Sequence, residues 1–215
     1  MKKISILSLA AVGVFALTGC GKKSGATKVS QEKFYDKVQE LITEEAYTEA
    51  AALYLDGVCT LKYSFSDIYK NVPGYEDTKY KGTVDLTYGS YDYRGQTRYI
   101  VWTNDATFLE LDTVPSMVYS FVNQYSLFEF LEENMTKEEF LDSYYSTYTF
   151  YTNPMSYKCH GKNVDDGVTY EETETSSFYN NGLPMKQKLV GKASKGNQSE
   201  TLTLSLQLTW SMPEE

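Results

Sequence analysis

The sequence contains a single histidine, His160, and this scarcity bears on catalysis. A Ser-His-Asp triad or a Cys-His pair needs a histidine as its proton carrier, so either mechanism would have to use His160. That residue falls on the polar side of a predicted strand, where a lone histidine is usually a surface side chain. The sequence also lacks G-x-S-x-G, H-E-x-x-H and a phosphate-binding glycine loop. We therefore expect no catalytic residue, no metal site and no cofactor.

Basic residues are outnumbered as well, since 20 Lys and Arg stand against 29 Asp and Glu and give a formal net charge of −9. Nucleic-acid-binding proteins need a basic surface, so this balance argues against such a partner. It also argues against peripheral binding to anionic lipid, apart from the segment that would tether the chain to a membrane. Two of the acidic residues, Glu172 and Glu174, share one face of a predicted strand. A glycosidase needs two carboxylates about 5–10 Å apart across a cleft. The sequence leaves that option open, but in so acidic a chain we expect these groups on the solvated surface.

The N-terminus has the three parts of an export signal. Met1-Lys2-Lys3 is cationic, residues 4–16 are almost all apolar, and Leu17-Thr18-Gly19-Cys20 places small residues before a cysteine. The apolar run is shorter than the roughly 20 residues that cross a bilayer. The ending resembles the lipobox of bacterial lipoproteins. The resemblance implies cleavage before Cys20 and a thiol that carries diacylglycerol, with acyl chains such as palmitate anchoring the protein to a membrane of the cell envelope, on its extracytoplasmic face.

This assignment divides the chain into a signal peptide over residues 1–19, a flexible tether over 20–29 and a single domain over 30–215. The tether is short, polar and basic, as linkers often are. Removal of Lys2 and Lys3 with the signal lowers the net charge by two, from −9 to −11.

Two further cysteines, Cys59 and Cys159, remain in the predicted domain. Each falls in register with apolar residues of a predicted strand, so both thiols are expected to face the core. An exported protein can keep a disulfide, which makes a Cys59–Cys159 bridge one expectation. The alternative is that both are buried free cysteines that pack as small hydrophobes.

Hydrophobic periodicity predicts the order of helices and strands. Ser30 is the predicted N-cap of a helix that runs to about residue 46, with Phe34 and Val38 on its apolar stripe. From about residue 47 the period changes to two and predicts one long strand that continues to residue 65. The clearest alternation lies near the C-terminus, where these residues point inward: Leu202, Leu204, Leu206, Leu208 and Trp210.

Residues 113–135 interrupt the strand pattern with apolar residues at helical spacing. Aromatic residues also lie off the main stripe, so this helix is predicted to be covered on more than one side and to line any ligand cavity. The candidate lining residues are Met117, Val118, Phe121, Val122, Tyr125 and Phe128. Thr136 and Glu139 then have the spacing of a capping box that opens a further helix.

These patterns predict an α+β fold. We expect a curved, mainly antiparallel sheet of about six to eight strands, with an N-terminal helix and a central helical pair on its apolar face. This layout resembles the half-barrel of the Lol-type carriers of lipids and lipoproteins, where a curved sheet cups helices around an apolar cavity. The likeness is one of layout, so no functional residue is transferred from it.

Two non-catalytic functions follow from these expectations. The resemblance implies that a hydrophobic or lipid ligand binds between the sheet and the helices of a membrane-anchored lipoprotein. The many tyrosines, 20 in all, fit equally well a cell-surface module with a filled core that holds a protein or a glycan.

Overall fold

The computed structural model describes residues 26–93, 96–103, 136–142 and 147–212. Three helices lie within these ranges: α1 (Gln31–Leu41), α2 (Glu44–Asp56) and α3 (Lys137–Asp142). The strands are β1 (Thr27–Val29), β2 (Val58–Lys70), β3 (Thr78–Tyr93), β4 (Gln96–Thr103), β5 (Tyr148–Thr152), β6 (Ser156–Asp165), β7 (Val168–Phe178), β8 (Pro184–Lys195) and β9 (Gln198–Ser211). The predicted α+β class is confirmed.

The nine strands form one open sheet in the order β1-β5-β6-β7-β8-β9-β2-β3-β4. Every neighbouring pair is antiparallel, as the clean alternation predicts. The pairing of β2 with β9 joins the block β2–β4 to the block of β1 and β5–β9. In this ladder Val58 lies opposite Ser211, and Lys70 lies opposite Ser199.

Helices α1 and α3 pack on one face of the sheet, which we call the inner face. The ring of Phe34 in α1 lies 4.6 Å from that of Phe150 and 6.0 Å from that of Tyr157. Phe140 of α3 lies 6.0 Å from the same Phe150 ring. The buried cluster also contains Val38, Met155 and Phe178. Burial of this cluster holds both helices at the β5–β7 end of the sheet.

Both predicted helix starts are confirmed by their hydrogen bonds. The backbone N of Lys33 donates to Ser30 Oγ at 3.2 Å. In the capping box, the backbone N of Thr136 donates to Glu139 Oε2 at 2.7 Å, and the backbone N of Glu139 donates to Thr136 Oγ1 at 3.2 Å. These contacts satisfy backbone groups that the first turn of a helix leaves unpaired.

The long strand predicted from about residue 47 is wrong in its first part, because α2 occupies residues 44–56. Thr43 caps this helix, and its Oγ1 accepts a hydrogen bond from the backbone N of Ala46 at 3.1 Å. Residues 50–55 are all apolar, so the alternation seen over 51–55 is part of a continuous apolar run that fits a helix as well as a strand. The alanines, leucines and glutamates here favour the helix.

Strand β1 takes up part of the predicted tether. Its residues Thr27–Val29 pair with Thr152, Tyr151 and Phe150 of β5. Val29 also packs against the buried aromatic cluster. This burial explains why the last residues of a polar, basic segment are ordered in the sheet.

The predicted disulfide is wrong, since Cys59 and Cys159 form no bridge. Three strands separate β2 from β6. Four strand spacings amount to about 19 Å, whereas a disulfide requires Cα atoms about 4.4–6.8 Å apart. Both cysteines occupy inner-face positions of the ladder, as predicted. The distance between the two cysteines depends on the order of the strands in the sheet, which alternation along a single strand does not reveal.

Several predicted residues lie outside the described ranges. They are Cys20 and the candidate cavity residues Met117, Val118, Phe121, Val122, Tyr125 and Phe128. Among the helices within the described ranges, none has the length and apolar composition to cross a membrane.

Candidate functional site

The inner face is apolar along its central strands. Leu202, Leu204, Leu206 and Leu208 alternate along β9 and are at most 8% exposed. We call these four residues the leucine stripe. Leu61 of β2 lies opposite Leu208, and Leu189 of β8 lies opposite Leu204. The inward direction predicted for these leucines is confirmed.

Toward the Leu202 end of the stripe, the same face carries four carboxyl groups that are buried or partly buried. Glu172 and Glu174 lie on β7, Asp67 lies on β2, and Glu200 comes directly before the leucine stripe on β9. We call these four residues the acidic patch. Glu174 is 1% exposed and Glu200 is 3% exposed. The expectation that Glu174 belongs to the solvated surface is therefore wrong.

The middle of the acidic patch has very small side chains. Glu172 lies between Gly161 of β6 and Gly191 of β8, and Ala193 of β8 lies opposite Glu200. A Cβ atom placed on Gly161 would meet no heavy atom within 4 Å. The carboxyl groups therefore border an area of the sheet where the glycines leave the backbone without side chains above it.

Each carboxyl group of the patch has a buried oxygen without a hydrogen-bond partner. These atoms are Asp67 Oδ1, Glu172 Oε1, Glu174 Oε2 and Glu200 Oε2, and the neighbouring Ser176 Oγ is in the same condition. The remaining partners are few: Gln187 Nε2 donates to Glu174 Oε1, and the Tyr69 hydroxyl donates to Asp67 Oδ2 at 2.5 Å. A buried polar atom left unpaired costs about 1–3 kcal/mol. Five such atoms on one face indicate a surface that lacks a hydrogen-bond donor.

Burial also changes the acidity of the patch. It raises the pKa of Glu174 well above its ordinary range; the charge of Glu172 adds to this effect, while the hydrogen bond from Gln187 opposes it. Burial likewise raises the pKa of Glu172. Burial first, and the charge of Asp67 second, raise the pKa of Glu200 to about 7. A bound cation would reverse these shifts, because it stabilises the ionised carboxylates.

The patch is too spread out to act as one compact ion site. Glu172, Gly191, Leu202 and Asp67 follow one another in a single cross-strand row. Three strand spacings put the backbones of Glu172 and Asp67 about 14 Å apart. The described ranges contain no group of three or more His, Cys, Asp or Glu side chains placed to hold a metal ion. The arrangement suits a ligand head with several hydrogen-bond donors.

His160 lies apart from the patch. It occupies the opposite face of the sheet, where its Nδ1 is 2.9 Å from Thr173 Oγ1, and its side chain is exposed. This position agrees with the predicted polar side of the strand.

Asp67 and Glu200 were not predicted as site residues, although the sequence holds a signal for both. Glu200 is in period-two register with the leucine stripe, and Asp67 is in register with Leu61 and Phe65. Extending each alternation by one step would have placed both carboxyl groups inward. The proximity of Glu172 to Gly191 depends on strand pairing and has no such signal.

The site can be interpreted only from the residues of this chain. Comparison of the chain with protein-family models, with curated proteins and with solved structures finds no match.

Proposed function

We propose that the chain is a membrane-anchored lipoprotein that binds an amphiphilic ligand on its inner face and does not change it chemically. The observation that supports this function is the continuity of the leucine stripe with the acidic patch on one sheet face. An apolar ligand body would lie along the stripe, in place of the protein groups that leave its leucines at most 8% exposed in the ligand-free fold. A head that bears an amine or several other donors would lie on the patch.

The dimensions of the face fit a long-chain ligand. From Glu200 to Leu208, strand β9 advances about 26 Å at roughly 3.3 Å per residue. A cationic head would add hydrogen bonds to carboxylates, each contributing about 1.5–3 kcal/mol. The unpaired carboxyl oxygens of the patch need hydrogen-bond donors, which an amine supplies and a carboxylate does not, so the patch favours amines.

The anchor in this proposal is Cys20. It follows from the lipobox Leu17-Thr18-Gly19-Cys20 and from two or more acyl chains being sufficient for stable attachment. Replacing Cys20→Ala should release the protein from the membrane fraction. The anchor proposal fails if the variant remains with membranes while its signal peptide is still removed.

The ligand site is tested with two fluorescent probes of equal chain length, one a primary amine and one a fatty acid. The unlipidated mature chain should bind the amine more tightly. Glu172→Gln should weaken amine binding by about tenfold, which corresponds to one charge-assisted hydrogen bond. Glu171→Gln is the matched control, because the adjacent Glu171 points to the opposite face and pairs with Lys162.

Native mass spectrometry of the same preparation would show any co-purified amphiphile. If the folded protein binds neither probe and carries no ligand, the inner face is a filled core. The alternative function, a cell-surface module that holds a protein or glycan, then replaces the ligand proposal.

A further inference from the structure

The face of the sheet opposite to α1 and α3, which we call the outer face, concentrates positive charge. Two described carboxylates share this face, Asp85 and Glu171. Ten lysines occupy outer-face positions of the ladder: Lys28, Lys62, Lys70, Lys79, Lys81, Lys158, Lys162, Lys186, Lys188 and Lys192.

These lysines have few internal partners. Lys162 Nζ lies 2.6 Å from Glu171 Oε1, and it is the one lysine of this face that forms an ion pair within the described ranges. Asp85 instead accepts a hydrogen bond from Thr60 Oγ1 at 3.0 Å. Like charges gathered on one face repel each other, so this surface gains from an external anion.

The spacing of the lysines suits an extended partner. Lys158, Thr175 and Lys188 follow one another in one cross-strand row, and Lys186, Gln207 and Lys62 do so in another. Two strand spacings separate the lysines of each row by about 10 Å. This distance is close to the Debye length of about 10 Å at 0.1 M salt, so the charges act together on an opposing surface. A broad array without a pocket matches many phosphates in one plane.

Carboxyl groups are more numerous on the other side of the sheet. The acidic patch is on the inner face, and α1, which packs there, carries Glu32, Asp36 and Glu40. The net charge of −9 belongs to the whole sequence and does not describe the outer face, where ten lysines stand against two carboxylates. The sequence-based expectation against anionic lipid applies to the whole chain but not to the outer face.

We propose that the outer face docks on the anionic phospholipid surface of the membrane that holds the anchor. Strand β1 begins at Thr27, seven residues after Cys20. That segment spans at most about 25 Å when fully extended, so it keeps the sheet close to the bilayer. It also contributes Lys22 and Lys23. In this orientation the inner face, with its ligand site, points away from the lipid. The proposal depends on the proposed anchor for delivery to the membrane, but the contact itself needs no anchor.

The test uses the unlipidated mature chain, which keeps all the residues that the structure describes, since these begin at residue 26. The chain should sediment with vesicles made of equal parts phosphatidylglycerol and phosphatidylcholine, and should release as salt is raised. It should not sediment with vesicles of phosphatidylcholine alone. The double variant Lys186→Glu/Lys188→Glu on β8 should lose about tenfold or more in partitioning, since each basic residue near an anionic surface is worth roughly fivefold.

The matched control is Lys33→Glu/Lys37→Glu on α1, which changes the net charge equally on the opposite side of the molecule and should retain binding. Thermal unfolding by circular dichroism checks that both double variants are folded. Equal losses in the two variants, or no sedimentation of the wild-type chain, would overturn the proposal. Binding to soluble polyphosphate without binding to vesicles would also overturn it, in favour of an anionic cell-envelope polymer. Failure of the amine-probe experiment leaves the vesicle result unaffected, so the two proposals fail separately.

Discussion

Replacing Glu200→Gln should stabilise the fold in mildly alkaline solution and leave its stability unchanged in acid. Glu200 is 3% exposed, and burial together with the charge of Asp67 raises its pKa from 4.5 to about 7. Glutamine has nearly the same shape but no charge. The variant therefore removes the cost of ionising a buried carboxyl group and little else.

The direction of the pH dependence follows from proton linkage. Below pH 4.5 the carboxyl group is protonated in both the folded and the unfolded chain, so it contributes nothing to the free energy of unfolding. Between 4.5 and about 7 the unfolded chain releases the proton while the folded chain keeps it, and stability falls as the pH rises. Above about 7 the penalty is complete and constant.

The size of the effect has an upper limit of about 3 kcal/mol, because each unit of pKa shift corresponds to 1.36 kcal/mol. Glu200 lies close to the turn between β8 and β9, where water screens charge. Allowing for this screening, we expect the variant to gain about 1–2 kcal/mol at about pH 8.

Urea denaturation over a series of pH values measures this gain as a shift of the midpoint at constant slope. Glu171→Gln is the control, because Lys162 lowers the pKa of that half-buried carboxyl group through a hydrogen bond and its charge. An equal gain at acid and alkaline pH would show that ionisation is not the cause. No gain at alkaline pH would show that the carboxyl group is well solvated, contrary to the described geometry.

Three other measurements test the fold. Leu206→Ala should cost about 2–5 kcal/mol in urea denaturation, because Leu206 is fully buried, and a loss below about 1 kcal/mol would contradict its position. Ser30→Ala should cost about 1 kcal/mol by removing the cap on the backbone N of Lys33, whereas Ser30→Asp should retain most of the stability. A Cys20→Ser variant of the unlipidated chain, unfolded without reductant, should expose two reactive thiols, Cys59 and Cys159. A smaller number would indicate a bridge.

Local sequence patterns correctly predicted the elements whose apolar residues fit only one period, that of a helix or that of a strand. Strand β9 alternates over its whole length, and the capping box at Thr136 and Glu139 has a fixed spacing, so both were assigned correctly. Helix α2 was mistaken for a strand because its apolar residues fit either period. A better signal was Thr43 followed by two glutamates, which favour the first turn of a helix.

The acidic patch shows what local patterns omit. The period of β7 places Glu172 and Glu174 on one face, but burial of that face depends on which strands lie beside it. Gly161 and Gly191 become neighbours of Glu172 only through the register of β6 and β8. In the same way, strand order sets the distance between Cys59 and Cys159 and so prevents a disulfide. Composition also missed the concentration of lysines on the outer face of the sheet, because a net charge has no direction.

The pairing of β2 with β9 has a consequence for how the chain reaches its native state. Val58 pairs with Ser211, so the two blocks of strands cannot join into one sheet until β9 has been made. Contacts this distant in sequence slow folding, because a long loop must be ordered before they form. Until β9 arrives, β2 and β8 both present unpaired edges lined with apolar side chains, which invite pairing with other chains. A partner that holds the unfolded chain would therefore be needed most in the interval before the last strand is added, and C-terminal truncation should favour aggregation over a smaller stable fold.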